Sequence, residues 1–193
     1  CTAENILVTN GSSEANFVSV WNLIDENDEA VLMVPNYMQI EGLVKTFGSR
    51  ATHLNLCPER NWSLDLDQLS SLNRHKIKLI AICNPNNPTG IVLSKQEMMA
   101  IRDLAADSHA WILSDEVYRG AELDGNMTPS FLDMYDKAIV TGGLSKAYGL
   151  PGLRIGWVAG PRDEIEGIWS RHDYTTIGPS TLGDKLARVA LSR

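Results

Sequence analysis

Cysteine is scarce in this chain of 193 residues: Cys1, Cys57 and Cys83 are all it has, with no Cys-x-x-Cys and no metal-like spacing. An odd, scattered count excludes a disulfide framework as the organising device and suits a reducing cytoplasm. Cys57 and Cys83 fall in strand-like runs and read as free buried thiols. No apolar run approaches the ~20 residues of a membrane span, and no secretory leader opens the chain, which does not begin with Met and reads as a fragment. Positive charge is not in excess either. The formal net charge is −7, which argues against a nucleic-acid or anionic-membrane partner. The four histidines, His53, His75, His109 and His172, share no ligand spacing, so no metal site is expected. Two catalytic signatures are missing as well. There is no Gly-x-x-x-x-Gly-Lys-Ser/Thr phosphate loop and no Gly-x-Ser-x-Gly elbow, which leaves a hydrolase built on Ser12 or Ser13 little support.

What is present is ordinary for a globular domain: 44% hydrophobic and 21% charged residues, long enough for one full core. Short apolar runs at residues 6–9, 30–34, 77–83, 110–114, 138–141 and 155–159 predict buried strands, with 53–57 a weaker candidate. Helical patterns alternate with them at 13–24, 37–47, 66–72, 94–107, 161–171 and 181–192. Ser94-Lys95-Gln96-Glu97 reads as a capping box, and Pro161 suits a first helical turn. The alternation predicts an α/β fold of three layers, an open, mostly parallel sheet with helices on both faces. Ligands of such sheets bind outside the carboxyl ends of the strands, and the unusual polar residues fall just after the strand runs.

Four segments carry the chemistry. In Gly142-Gly143-Leu144-Ser145-Lys146 a strand gives way to a lysine among small residues, with Arg154 eight positions on. A neutral lysine amine can attack an aldehyde and later act as a base; alone, Lys146 also reads as a surface lysine. Asp115 ends a strand, with Tyr118 three residues later. A buried carboxylate there can keep a ring nitrogen protonated, or can simply cap a helix. Asn84-Pro85-Asn86-Asn87-Pro88-Thr89-Gly90 makes a defined turn after an apolar strand. Gly11-Ser12-Ser13 joins a strand to a helix, whose free N–H groups suit an anion or plain capping equally.

In this order, the segments resemble the class I/II aminotransferases, the aspartate-aminotransferase-like, fold type I pyridoxal-phosphate enzymes, from about residue 5 to the end of the chain. The seven residues from Asn84 to Gly90 match that family's Asn-Pro-x-Asn-Pro-Thr-Gly in full. The resemblance implies pyridoxal 5'-phosphate held as a Schiff base on Lys146. It gives Asp115 the pyridine nitrogen, Tyr118 and Asn87 the phenolic oxygen, and Tyr37 the ring face. Ser12, Ser13, Ser145 and Arg154 take the phosphate. It also places the substrate pocket near Tyr174 and Thr175. One departure stands out: Gly143 occupies the place where many members carry a Ser or Thr that bonds the phosphate, so weaker cofactor retention is expected.

The activity implied is transfer of an amino group between an amino acid and a 2-oxo acid, in a cytoplasmic homodimer. Residues 1–193 would be the cofactor-binding large domain, with an N-terminal segment and a C-terminal small domain outside them. Cofactor residues do not decide which bond breaks, so a lyase, cyclase or oxidase on the same scaffold stays open, as does a non-catalytic cofactor-sensing domain of a transcription regulator.

Overall fold

Eight short runs of extended chain assemble into one sheet in a computed structural model that describes residues 2–192. The elements are β1 (Ile6–Thr9), α1 (Ser12–Leu23), β2 (Glu29–Val34), α2 (Gln39–Thr46), β3 (Arg50–Cys57), β4 (Ser63–Leu64), α3 (Leu66–Ser71), β5 (Ile77–Cys83), α4 (Lys95–Ser108), β6 (Trp111–Asp115), β7 (Ala138–Gly143), β8 (Gly156–Ala159), α5 (Arg162–His172) and α6 (Thr181–Leu191). Strand order is β1-β8-β7-β6-β5-β2-β3-β4. The centre, β7 through β3, is parallel, as expected. The flanks are not: β8 runs antiparallel to both β7 and β1, and β4 antiparallel to β3. Two reversals cancel, so β1 ends at the same edge of the sheet as the parallel strands.

Each face carries its own core. On one, α1, α2 and α5 cover Leu7, Leu32, Leu79, Leu113, Ile139 and Val158. On the other, α3 and α4 pack over Val31, Leu54, Ile80, Ile82 and Ile112. Strand side chains alternate between these faces, which is why the β5 run Ile77–Cys83 is almost wholly apolar.

Local chemistry explains most boundaries. The capping box forms: Ser94 Oγ accepts the Glu97 N–H, and the Glu97 carboxylate accepts the Ser94 N–H at 2.7 Å. The same carboxylate takes the Leu64 N–H at 2.6 Å, fastening β4 to α4. Helix α2 begins two residues later than its apolar pattern, because the Asn36 side chain accepts the Tyr37 N–H and holds Tyr37 in the preceding turn. Pro161 caps α5 from outside rather than filling its first turn. Cys83 is a buried free thiol. Cys57 is free but only half-buried, since it ends β3 at the surface, where its sulfur accepts Arg60 Nη2. Cys1 lies outside the described residues. No described helix is long and apolar enough to cross a membrane.

Candidate functional site

The ends of β1, β2, β5, β6 and β7 surround a cavity of about 260 Å³. All nine residues expected at the cofactor line it: Ser12, Ser13, Tyr37, Asn87, Asp115, Tyr118, Ser145, Lys146 and Arg154. They come from six separate segments spread over more than 140 positions of sequence.

One end of the cavity is built for an anion. The chain leaves β1 at Thr9 and turns at Gly11, whose φ of +84° suits glycine. A Cβ at Gly11 would also collide with the Arg154 guanidinium, so glycine lets the arginine close over the turn. The first-turn N–H groups of α1 at Ser12 and Ser13 find no acceptor in the described chain. Arg154 Nη1 donates to Ser145 Oγ at 3.3 Å and to the Pro151 carbonyl at 3.1 Å, which fixes the guanidinium beside them. Helix dipole, free amides, hydroxyls and a guanidinium thus converge.

Gly143 takes part through its smallness. A Cβ there would lie 3.0 Å from the Ile155 carbonyl oxygen and 3.6 Å from the Ser12 nitrogen. Its absence lets β7, β8 and the α1 N-terminus approach closely, and it leaves no hydroxyl at that spot.

The other end is built for a cation. Asp115 is 5% exposed. Burial pushes its carboxyl above the ordinary range, opposed by hydrogen bonds from the Asn16 side chain and the Val117 N–H. Asn16 Nδ2 donates to Asp115 Oδ2 at 2.9 Å, while Asn16 Oδ1 accepts the Thr141 hydroxyl at 2.6 Å. Asn16 is therefore oriented by β7 and aims its amide at the carboxylate. Asp115 has no cationic partner in the described chain, so a ligand N–H⁺ would find an aligned and electrostatically favourable acceptor. Cys83 sits behind it with its thiol pushed up to about 12 by burial and by the Asp115 charge, which makes it inert as a nucleophile.

Lys146 lies between these ends, exposed to the cavity, with Nζ 5.7 Å from the Tyr118 ring centroid. The Asn84–Gly90 turn uses most of its own polar groups: Asn84 Oδ1 accepts the Leu93 N–H and Asn86 Oδ1 accepts from Thr89. The Asn87 side chain has no partner among the described residues and faces the cavity. Tyr37 stands at the mouth, 48% exposed.

Sequence reasoning missed Asn16, Gln39 and Cys83 in this lining. Gln39 Nε2 donates to the Ser13 carbonyl at 2.7 Å, bracing the anion end. Asn16 did carry a signal, an amide at a core position of a mostly apolar helix face; Gln39 carried none. Tyr174 and Thr175 line no part of this cavity. Tyr174 packs on Trp21 and Thr175 turns back to the His172 carbonyl. Glu116 points to the opposite face of the sheet, where it accepts the Ser130 hydroxyl and the Phe131 N–H. Arg119 donates to the Thr128 carbonyl. Among the described residues no cluster of three or more His, Cys, Asp or Glu is placed to hold a metal ion.

Known proteins resemble this chain in sequence and in fold. The chain is 32% identical over 186 residues to capreomycidine synthase of Streptomyces vinaceus, covering 96% of this chain and 48% of that protein. It is 32% identical over 199 residues to kynurenine–oxoglutarate transaminase 3 of Bos taurus, covering 96% and 44%. A solved structure of a PLP-dependent aminotransferase from Streptococcus suis superposes with a TM-score of 0.92 at 37% identity, over 98% of this chain and 50% of that one. The chain thus spans about half the length of the curated relatives it matches. The family described as aminotransferase class I and II matches residues 1–193, and this chain belongs to it.

Proposed function

We propose that residues 1–193 are the cofactor-binding domain of a pyridoxal-phosphate-dependent aminotransferase, which moves an amino group between an amino acid and a 2-oxo acid. The observation that carries this is one cavity with a free amine between an anion cradle and a buried carboxylate without a cation. That donor set fits the cofactor. Ser12, Ser13, Ser145 and Arg154 would hold the phosphate, and Asp115 the protonated ring nitrogen. Asn87 and Tyr118 would take the phenolic oxygen, and Tyr37 would cover the ring. Bound pyridoxal phosphate supplies an aldehyde that condenses with amines and a ring that accepts the electrons released at the substrate's α-carbon.

The chain's own residues do the rest. Lys146 Nζ would be the attaching amine and, when free, the base that takes the substrate's α-proton; such positioned proton transfer contributes about 10²–10⁴ in rate. Asp115 would hold the ring N–H in place because Asn16 fixes the carboxylate. Arg154 would neutralise the phosphate and anchor it.

A second reading rests on one observation: a relative at 32% identity is named a synthase and not a transaminase, so a reaction other than transamination on the same cofactor residues is the alternative. The homodimer, the cytoplasmic location and the extra segments beyond these residues belong to the same proposal. The test uses the full-length protein with a panel of amino acids and a 2-oxo acid, products followed by mass spectrometry. Paired appearance of a new 2-oxo acid and a new amino acid, lost in Lys146→Ala, is expected. Consumption of the amino acid without its 2-oxo acid would replace transamination by the synthase reading.

A further inference from the structure

We infer that Glu14 and His172, with Thr176, are positioning residues for the phosphate end of the site, holding the Ser12–Ser13 turn in shape from behind. The inference rests on the function proposed above but concerns residues outside the cavity lining. Glu14 lies in the first turn of α1, and its Oε2 accepts the Asn10 N–H at 2.6 Å. That bond closes a loop around Gly11, Ser12 and Ser13, so the carboxylate fixes the turn whose amides point at the ligand. A carboxylate this near a phosphate is costly by itself, and the chain surrounds it with donors. The Thr176 hydroxyl reaches both oxygens, at 2.9 and 3.0 Å, and His172 Nε2 lies 3.2 Å from Oε2.

Burial of Glu14 works to raise its carboxyl, but donors from Asn10 and Thr176 and the nearby His172 outweigh it and hold the group below the ordinary range. All but Asn10 come from the end of α5 and the turn after it, some 160 residues away in sequence.

His172 adds an independent observation. It is 1% exposed, and its Nδ1 has no hydrogen-bond partner. A proton on Nδ1 would leave an N–H buried without an acceptor, so the proton belongs on Nε2, where it donates to Glu14. The imidazole then braces the carboxylate through Nε2. The same helix end also fastens α1 at its far end, where Arg171 Nε donates to the Trp21 carbonyl at 3.1 Å. The polar run from Arg171 to Thr176 thereby acquires a role: it grips the helix that presents the phosphate amides.

The experiment compares two ligands on the full-length apoprotein, pyridoxal phosphate and pyridoxal, which differ only in the phosphate. Wild type is set beside Glu14→Gln, His172→Leu, His172→Gln and the milder, exposed Thr176→Val. Losing one hydrogen bond to the carboxylate is expected to weaken pyridoxal phosphate at least ~10-fold in Glu14→Gln and His172→Leu, leaving pyridoxal within about twofold. His172→Gln retains a side-chain N–H donor and restores most of the loss, and Thr176→Val falls between. Equal weakening of both ligands would reduce these residues to general scaffold and overturn the inference, as would unchanged phosphate-ligand affinity. Wild type binding neither ligand would instead sink the cofactor assignment, and this inference with it.

Discussion

Replacing Asn16 by alanine removes the one side chain among the described residues that hydrogen-bonds to Asp115 and leaves the Thr141 hydroxyl without its acceptor. It also removes a long 3.5 Å contact from Asn16 Nδ2 to Gln39 Oε1, so Gln39→Ala is the control that separates the carboxylate's share. A hydrogen bond to a charged group contributes about 1.5–3 kcal/mol. At about 1.4 kcal/mol per tenfold, its loss corresponds to ~10–100-fold. Burial already raises the Asp115 carboxyl, and Asn16 is the strongest of the two bonds opposing that rise. Without it, the carboxylate ionises at higher pH and holds a ring proton less well. We expect kcat/KM of the full-length enzyme to fall ~10–100-fold in Asn16→Ala, with the acid limb of its pH profile displaced upward. Thr141→Val, which only frees Asn16 to rotate, should cost less. Steady-state kinetics across pH on folded protein, checked by circular dichroism, is the assay. A variant within about threefold of wild type with an unmoved acid limb would refute the reasoning.

Further outcomes follow from the same geometry. Lys146→Ala removes the attaching amine and should abolish useful turnover; near-normal rates would end the assignment. Glu116 is raised to about 7, first by burial, with Phe131, Ser130 and Arg119 acting against it. The folded state therefore binds this proton more tightly than the unfolded chain, and its contribution is full at acidic pH and drains as pH rises from about 4.5 through about 7. Chemical denaturation should show wild type losing on the order of 3 kcal/mol relative to Glu116→Gln between about pH 4.5 and 8, and parallel curves would refute this. At Gly156 an added Cβ would meet the Gly11 carbonyl carbon and, at 2.5 Å, the Ser12 nitrogen, whereas at Gly152 it meets nothing within 4 Å. Gly156→Ala should destabilise by about 1–3 kcal/mol and loosen phosphate-ligand binding, with Gly152→Ala as the neutral control in melting and titration; equal behaviour of the two would contradict the packing account.

The residues of the site were legible because their motifs resemble a known family's and most of them fall where an apolar run gives way to a polar turn. Asn87 and Lys146 follow β5 and β7, and Asp115 is the last residue of β6. Asn16 and Gln39 were not read because their meaning is tertiary: one is a helix residue whose partner lies 99 positions away, the other braces a turn from a neighbouring helix. Strand direction at the flanks was equally hidden. The β7–β8 connection is long enough for either sense, and it is the cradle, where Gly156 backs onto Gly11 and Ser12, that goes with the antiparallel one. The two-residue β4 has no periodicity to detect and depends on Glu97 from α4 for its Leu64 N–H. Tyr174 and Thr175 were polar and well placed in sequence, yet the turn after α5 commits them to Trp21 and to the Glu14–His172 cluster.

The account stands or falls on Lys146 as the point of covalent attachment. The direct measurement is borohydride reduction of the full-length protein loaded with pyridoxal phosphate, followed by digestion and peptide mapping. A reduced adduct on the peptide carrying Lys146, absent from Lys146→Ala, is the predicted result. An adduct confined to another lysine, or none on protein shown to be folded, would contradict it.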